Sequence, residues 1–133
     1  MASETTVQQQ VRLLHARMNG QNWRNNVGAG LIVDEYGNER QVRWGLANES
    51  AQQNAVMKSS DIIGITPITI QPHHVGRIFG VFTALETKRP GWHLTPGDKR
   101  GLAQQKFIDI VRNVGGFAGF VTDPADIYGI IQL

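Results

Sequence analysis

The feature that most constrains the fold is an apolar run that lies between Arg77 and Lys88. Its apolar members are Ile78, Phe79, Val81, Phe82, Ala84 and Leu85. The run is too short to span a bilayer, and a nearly unbroken run of this length is typical of a strand that is covered on both faces. Pro90 and Gly91 follow the run and are expected to end the strand. The segment 77–88 is therefore predicted to be a central strand of a sheet.

The segment 3–18 has the pattern of an amphipathic helix, with Ser3 as a plausible N-cap and Gly20 just past its end. Its apolar residues recur on one stripe with a period of 3.6 residues. The members of the stripe are Val7, Val11, Leu14 and Met18. Glu4 lies three residues before Val7 and so belongs to the same stripe, which we expect to face the core. A plain alternative for Glu4 is that its charge only stabilises the positive end of the helix.

The remaining segments alternate between strand and helix patterns. They predict a hairpin of strands 31–33 and 41–44 around turn residues 34–38, a buried strand 61–65, a helix after residues 95–98, a strand 117–121 and a last helix opened by Asp123 and Pro124. The helix after residue 98 is expected to bury Ala103, Phe107, Ile110, Val111 and Val114. Residues 46–60 are polar and predict a loop or a short surface helix. This order of elements predicts an α/β fold with a mixed sheet flanked by helices.

Length and composition limit the class of protein. A chain of 133 residues fits one domain, which would bury about two-thirds of its unfolded surface. The net charge is only +2, a weak indication of an anionic partner. Cysteine is absent, which excludes disulfides and suits a reducing compartment. No apolar leader or bilayer-length run is present, so we expect a cytosolic protein without a membrane segment. No phosphate-binding glycine loop ending in Gly-Lys-Ser/Thr occurs, so no nucleotide cofactor is indicated.

Two ionisable residues stand at the end of the predicted central strand. Strand side chains alternate, so Glu86 and Lys88 point to one face, about 6.6 Å apart along the strand. Two such groups at the edge of a core are costly unless they are paired, solvated or bound to a metal. A salt bridge between them is the plain alternative. Asp61 favours a metal: if its strand lies beside that of Glu86, the two carboxylates would repel unless a divalent cation lies between them.

Oxygen ligands of this kind suit Mg²⁺ or Mn²⁺, which keep several waters and take one or two carboxylates. Such an ion would lower the pKa of a bound water and neutralise charge on a phosphate. Lys88 could then orient the attacking water or stabilise the transition state. The pattern of Asp61, Glu86 and Lys88 alone is weak evidence for a metal site, because these residue types are common. Its value comes from the position of Asp61 and Glu86 on two apolar strands.

Five segments of the chain, in this order, carry a resemblance to a known family. They are WRNNVG (23–28), SDIIG (60–64), FTALETK (82–88), QQKF (104–107) and GGFAG (115–119). In combination they resemble the virus-type replication-repair nuclease (VRR-NUC) family, a branch of the PD-(D/E)xK superfamily. The resemblance covers nearly the full chain. It implies one nuclease domain over residues 1–133, with a restriction-endonuclease-like mixed β-sheet flanked by α-helices.

The resemblance also implies roles for individual residues. Asp61 and Glu86 match the metal-binding carboxylates, the backbone carbonyl of Thr87 would be a further ligand, and Lys88 matches the catalytic lysine. Ser60 stands where many members of the superfamily have proline, as is common in this branch. The stretch 46–60 looks longer than the usual link in the family, which leaves its role open.

Two further positions complete the implied active site. Gln104 matches a catalytic glutamine on the helix after the central strand, and Gln105 is a near alternative. Glu4 corresponds to a carboxylate on the first helix of the family and joins the catalytic and metal-binding set. Residues expected to contact the DNA backbone are Arg24, Asn25, Asn26, Arg77 and Arg89, with Trp92 also just past the catalytic strand.

The function implied by the resemblance is a Mg²⁺- or Mn²⁺-dependent endonuclease that hydrolyses phosphodiester bonds in DNA. Stand-alone members of the family are expected to act as homodimers on branched DNA such as four-way (Holliday) junctions. Viral or prophage origin, and hence the cytoplasm of a bacterial host, is plausible from the family. Two alternatives stay open: a non-catalytic nucleic-acid-binding module on the same fold, and a sequence-specific restriction-type endonuclease.

The histidines do not indicate a zinc site. The side chains of the adjacent residues His73 and His74 point apart, and no third ligand follows at a suitable spacing. His15 on the first helix and His93 in a loop are expected to be ordinary surface residues.

Overall fold

The structure is a computed structural model that describes residues 2–132. The chain divides into two compact units, the first holding residues up to 16 and residues 22–64, the second holding residues 17–21 and residues from 65 onward. Helices and strands are both present, so the predicted α/β class is confirmed. Within residues 2–132 there is no helix with the length and apolar character of a membrane span.

Four helices and six strands form within the described residues. In chain order they are α1 (Glu4–Arg17), β1 (Gln21–Arg24), β2 (Gly28–Val33), β3 (Glu39–Trp44), α2 (Ala51–Val56), β4 (Ile62–Ile65), β5 (Thr83–Thr87), α3 (Lys99–Asn113), β6 (Phe117–Val121) and α4 (Asp126–Ile130). A single 3₁₀ turn spans Pro72–His74. The strands pair two by two into three sheets: β1 with β4, β2 with β3, and β5 with β6.

The first helix begins where the sequence predicts. The hydroxyl of Ser3 accepts a hydrogen bond from the backbone N–H of Thr6 at 3.1 Å, the geometry of an N-cap. The apolar stripe of this helix is not buried. The exposed fractions of its members Val7, Val11, Leu14 and Met18 are between 48 and 57%. The expectation that this stripe is buried is therefore wrong. Instead, the guanidinium of Arg12 donates to Asn22 at 2.8 Å, so a polar contact attaches α1 to the start of the following strand.

The predicted hairpin is confirmed. Strands β2 and β3 are antiparallel, with Gly28 opposite Trp44 and Val33 opposite Glu39. In the turn, the Asp34 carboxylate accepts the backbone N–H groups of Tyr36 and Asn38, both at 2.9 Å. These hydrogen bonds lower the pKa of Asp34 below its ordinary value, and the bond from the Asn38 backbone has the largest effect. The turn is therefore fixed by its own side chains, as the Asp and Gly residues in the sequence indicate.

The segment between the hairpin and β4 is organised by a buried amide. Asn48 is only 3% exposed, and its amide nitrogen donates to the carbonyls of Gly28 at 2.7 Å and Trp44 at 2.9 Å. Its amide oxygen accepts from the guanidinium of Arg43 at 2.6 Å. The hydroxyl of Ser50 then caps α2, which confirms the expected short surface helix. Asn48 thus attaches the segment 46–60 to both strands of the hairpin.

Replacing Asn48 by alanine should destabilise the first unit by about 2–3 kcal/mol, because two partly buried carbonyls and a guanidinium N–H lose their bonds to this buried amide. The measurement is urea denaturation followed by tryptophan fluorescence. The matched control is Asn113→Ala at the exposed end of α3, which should change the free energy of unfolding by less than about 0.5 kcal/mol. Equal effects of the two substitutions would contradict a structural role for Asn48.

The long apolar run forms much less strand than the sequence predicts. Only Thr83–Thr87 is a strand, and its one neighbour in the described residues is β6, so it is not the central strand of a larger sheet. Ile78, in the first half of the run, is 97% exposed. The prediction of a central strand over 77–88 is therefore wrong. Apolar side chains favour a strand only where a partner strand supplies hydrogen bonds, and β6 is long enough for 83–87 alone.

The second unit contains a parallel β–α–β arrangement. Strands β5 and β6 are parallel, with Glu86 in register with Phe120, and α3 connects them. The helix begins at Asp98, whose carboxylate accepts the backbone N–H of Gly101 at 2.8 Å. It ends before Gly115, which has a φ of +92°, a conformation that favours glycine. Both ends of the helix therefore lie where the sequence predicts them.

The buried face of α3 differs from the predicted one. Gly101, Ile108 and Val111 are buried, and Gln104 falls on the same face by spacing. Phe107 and Ile110, which the sequence predicts to be buried, are 38 and 41% exposed. Gly101 permits the close approach of the capping Asp98 carboxylate and of the Leu94 side chain, because a Cβ there would lie 2.6 and 2.7 Å from them. The buried face that begins at Gly101 also carries Gln104.

Candidate active site

Glu86 and Gln104 form the centre of the candidate active site in the second unit. The amide nitrogen of Gln104 donates to the carboxylate of Glu86 at 2.7 Å. Glu86 lies on β5 and Gln104 on the buried face of α3, so the packing of helix on strand brings them together. Gln105 bonds instead to Asp109 of its own helix at 2.8 Å. Of the two glutamines that the sequence leaves open, Gln104 is the one that contacts Glu86.

The amide oxygen of Gln104 is buried and has no hydrogen-bond partner among the described residues. A buried acceptor without a partner costs about 1–3 kcal/mol, so such an atom indicates a position for water or an ion. It stands beside the Glu86 carboxylate, because the same amide group bonds to that carboxylate. Carboxylate and amide oxygens are ligands that Mg²⁺ and Mn²⁺ accept. This pair of residues therefore fits a divalent cation.

Neither unit, over residues 2–132, gathers three or more His, Asp or Glu side chains into a group that could hold a metal ion. A cation at Glu86 would accordingly depend on amide, backbone and water oxygens as well as the carboxylate. That composition is typical of Mg²⁺, which keeps several of its waters and takes one or two protein carboxylates.

Lys88 shares a face with Glu86, as predicted, but the two side chains have different partners. Exposed and half-buried residues alternate along β5, and Glu86 and Lys88 are both half-buried. The ammonium of Lys88 lies 5.0 Å from the ring centroid of Trp92 and 5.9 Å from that of Phe120. No ion pair joins Lys88 to Glu86 within the described residues. The alternative of a salt bridge between them is therefore wrong.

The aromatic surroundings of Lys88 are a feature that the sequence did not reveal. The rings of Trp92 and Phe120 contact each other, with centroids 4.6 Å apart. Phe120 is far from Lys88 in sequence and comes to it only through the parallel register of β5 and β6. The backbone N–H of Lys88 also donates to the carbonyl of Val121 at 2.8 Å, which continues that register past the end of the strand. No local motif encodes this contact.

A pocket of about 610 Å³ lies beside Glu86 and Gln104, between β5 and α3. Its walls include the apolar side chains of Leu85 and Phe107, and Arg100 is its cationic residue. This volume is within the range of ligand-binding pockets in proteins. The second unit thus places a carboxylate, an unsatisfied amide oxygen and a guanidinium around one cavity.

Asp61 belongs to the first unit, where it immediately precedes β4. Its side chain is exposed, and its backbone carbonyl accepts the N–H of Asn25 at 2.8 Å. The predicted approach of Asp61 to Glu86 requires their two strands to be neighbours in one sheet. Instead, β4 pairs with β1 and β5 pairs with β6. Strand pairing therefore does not bring the carboxylates of Asp61 and Glu86 together.

The other predicted site residues are distributed over both units. Glu4 is exposed in the first turn of α1, and Thr87 is exposed on the face of β5 opposite Glu86. The exposed residues expected to contact DNA are Arg24, Asn26, Arg77 and Arg89. Asn25 differs from them, because its amide bonds to Ser59, to the Ser60 carbonyl and to the backbone N–H of Leu46. Its side chain therefore holds the segment before Asp61.

The contact between Lys88 and Trp92 can be measured with a double-mutant cycle. We expect Lys88→Met and Trp92→Leu to show a coupling energy of about 0.5–1 kcal/mol, the usual size of a cation–π interaction. The cycle compares the free energies of unfolding of the wild type, both single variants and the double variant. Lys106, exposed on α3, replaces Lys88 in the control cycle and should show no coupling to Trp92. Equal coupling in both cycles would contradict the contact.

No protein-family model matches the chain, and neither the curated proteins nor the solved structures contain a significant match to it. The likeness to the virus-type replication-repair nucleases therefore rests on the sequence motifs and stays a prediction.

Proposed function

We propose that this protein is a Mg²⁺- or Mn²⁺-dependent endonuclease that hydrolyses phosphodiester bonds in DNA. The observation that carries the proposal is the environment of Glu86, where Gln104 holds the carboxylate at 2.7 Å and leaves its own buried oxygen unsatisfied. Lys88 stands on the same face, and no carboxylate of residues 2–132 forms an ion pair with it. A carboxylate that can bind a metal and a cation on the same face of the strand suit the hydrolysis of a phosphate ester, because both can stabilise negative charge on the phosphate.

In the proposed mechanism, Glu86 and Gln104 would hold the cation, and the backbone carbonyl of Thr87 would be the further ligand in this unit that the resemblance implies. The bound cation would supply an activated water and neutralise charge on the phosphate. Gln104 fixes the orientation of the Glu86 carboxylate through their hydrogen bond. Lys88 provides a positive charge where negative charge develops on the phosphate.

The rings of Trp92 and Phe120 limit the ways in which the Lys88 ammonium can be solvated. A charge held in a partly dry environment interacts more strongly with a phosphate than one that is fully hydrated. The two rings therefore orient Lys88 and strengthen its field without neutralising it. In the proposed mechanism, Lys88 and the two rings that orient it are therefore the residues of the chain that stabilise the transition state.

The wider proposal follows the resemblance. One VRR-NUC-type domain over residues 1–133, with a restriction-endonuclease-like mixed sheet, would act as a homodimer on branched DNA such as four-way junctions. Two copies suit that task, since two active sites can cut two strands symmetrically. Arg24, Asn26, Arg77 and Arg89 are exposed and would contact the DNA backbone. A bacterial host cytoplasm is the proposed location, if the gene is carried by a phage.

A cleavage assay tests the proposal. Four-way junctions, flaps, linear duplex and supercoiled plasmid are incubated with the protein in Mg²⁺, Mn²⁺ or EDTA. We expect junctions to be cut with either metal and left intact in EDTA. Glu86→Gln and Lys88→Met should each lower the rate at least about 100-fold, because each removes a group that stabilises the transition state. Lys106→Met is the matched control and should cut at the wild-type rate.

The other outcomes of this assay separate the alternatives. Junctions that are bound but not cut with any divalent metal would overturn the nuclease and leave a nucleic-acid-binding module. Cutting of linear duplex at defined sites, with no preference for branches, would favour a restriction-type enzyme. Full activity of the Lys88→Met protein would remove Lys88 from the mechanism.

Metal binding can be tested without reference to activity. Added Mn²⁺ should raise the Tm of the wild type, by the equivalent of about 2.7 kcal/mol at a hundred times the Kd. Gln104→Met should reduce this increase, since the variant lacks the buried amide oxygen beside Glu86. Gln105→Met removes the same chemical group from the neighbouring residue and should keep the wild-type increase. Identical increases in all three proteins would contradict metal binding through Gln104.

A further inference from the structure

A second pocket, of about 400 Å³, lies wholly within the first unit and includes Asp61 in its wall. The hairpin forms one side through Ala29 and Arg43, and the segment before β4 forms the other through Asn54 and Lys58. The volume is within the range of ligand sites and exceeds the needs of a single water. Most of the residues that line the pocket are polar, so the pocket suits a charged or polar group.

The charges of this pocket do not neutralise one another by contact. Its titratable side chains are Arg43, Lys58 and Asp61, which together leave one net positive charge. Arg43 bonds to the carbonyl and amide oxygen of Asn48, at 3.1 and 2.6 Å. Lys58 bonds to the carbonyl and amide oxygen of Asn54, at 3.0 and 2.6 Å. Both cations are therefore positioned by neutral acceptors, and the described residues contain no carboxylate paired with either of them.

Both cations keep donors for a ligand. A guanidinium has five N–H groups and an ammonium has three, so two bonds apiece leave donors unused on Arg43 and on Lys58. An anion that accepts several hydrogen bonds would satisfy these donors and supply the missing negative charge. Phosphate oxygens meet both conditions, and arginine and lysine are their usual partners in proteins.

The walls of the pocket are fixed before any ligand binds. Asn48 is buried and connects Arg43 to both strands of the hairpin. On the other side, Asn25 bonds to the hydroxyl of Ser59 and the carbonyl of Ser60, next to Asp61. A site that is already ordered loses little entropy on binding, which favours affinity.

We propose that this pocket binds a phosphodiester group of a nucleic-acid strand, beside Asp61. The identity of the ligand rests on the proposed function, whereas the anion site itself rests on the pocket. The proposed function favours a phosphodiester, because each linkage of a DNA strand presents phosphate oxygens that can accept these hydrogen bonds. A free or terminal phosphate carries nearly two charges at neutral pH, so its attraction to Arg43 and Lys58 and its repulsion by Asp61 would both be larger.

Ala29 offers a direct test, because it lines the pocket and lies opposite Arg43 in the hairpin. Ala29→Glu places a carboxylate beside the guanidinium, and Ala29→Gln places a side chain of equal size without the charge. Binding of a fluorescein-labelled single-stranded oligonucleotide is measured by anisotropy in EDTA, so that no cleavage occurs. We expect glutamate to weaken binding about tenfold and glutamine less than about twofold. Equal affinities of the two variants would overturn the proposal.

The dependence of binding on salt gives a second, independent measurement. Lys58→Met should reduce the slope of log K against log salt concentration by about one, as expected when one phosphate contact is lost. Lys106→Met removes an exposed lysine from α3 and should leave the slope unchanged. Thermal unfolding of each variant checks that the fold is kept. An unchanged slope in the Lys58 variant would overturn the proposal.

The two proposals can fail separately. A protein that cuts no DNA but shows the Lys58 and Ala29 effects in EDTA would retain the phosphodiester pocket and lose the nuclease function. A protein that cuts junctions and shows neither effect would retain the nuclease function and lose the pocket. Inorganic phosphate, added at constant ionic strength, should not displace the oligonucleotide; displacement would assign the pocket to free phosphate and overturn the phosphodiester.

Discussion

The second unit depends on the packing of α3 against the parallel pair β5 and β6. Ile108 and Val111 are the largest side chains there that are almost wholly buried, and Ala118 of β6 is buried to a similar degree. The same helical face carries Gln104 to Glu86, because residues 101, 104, 108 and 111 recur at helical spacing. The apolar contacts thus fix the position of a polar pair. A small shift of the helix along its axis would remove the hydrogen bond as well as the packing.

The first unit relies more on side-chain amides than on apolar burial. Its most deeply buried polar residue is Asn48, and Asn25 and Asn22 add bonds between segments that are distant in sequence. Buried amides of this kind specify a single arrangement, because each donor and acceptor must meet its partner. A consequence is that the loop 46–60, which reads as an undefined polar stretch, becomes one wall of a pocket.

Local features of the fold could be predicted from sequence, and long-range ones could not. The cap at Ser3, the start of α3 at Asp98 and the glycine that ends it each follow from the conformational preference of one residue. The hairpin turn follows from Asp34 and its neighbours in the same way. Strand partners depend on the whole chain, so the apolar run 77–88 gave no indication that only 83–87 would pair.

The same division applies to the candidate site. Glu86 and Lys88 were placed on one face by the alternation of a strand, and the structure confirms this. Which side chains would surround them depended on register and helix rotation. Phe120 reaches Lys88 through the parallel register, and the buried face of α3 carries Gln104, not Gln105, to Glu86. Neither effect leaves a signal in the residues near Glu86.

Three of the cations that neutral groups hold in this protein belong to the proposed sites, and their arrangement has a common physical consequence. Lys88 lies against aromatic rings, and Arg43 and Lys58 are bound by amide and carbonyl oxygens. Ordering a long cationic side chain costs conformational entropy, which an ion pair would usually offset by neutralising the charge. Here the side chains are ordered and the charges remain. If the proposed sites bind anions, their cations need little rearrangement, which would lower the entropic cost of binding a polyanion such as DNA.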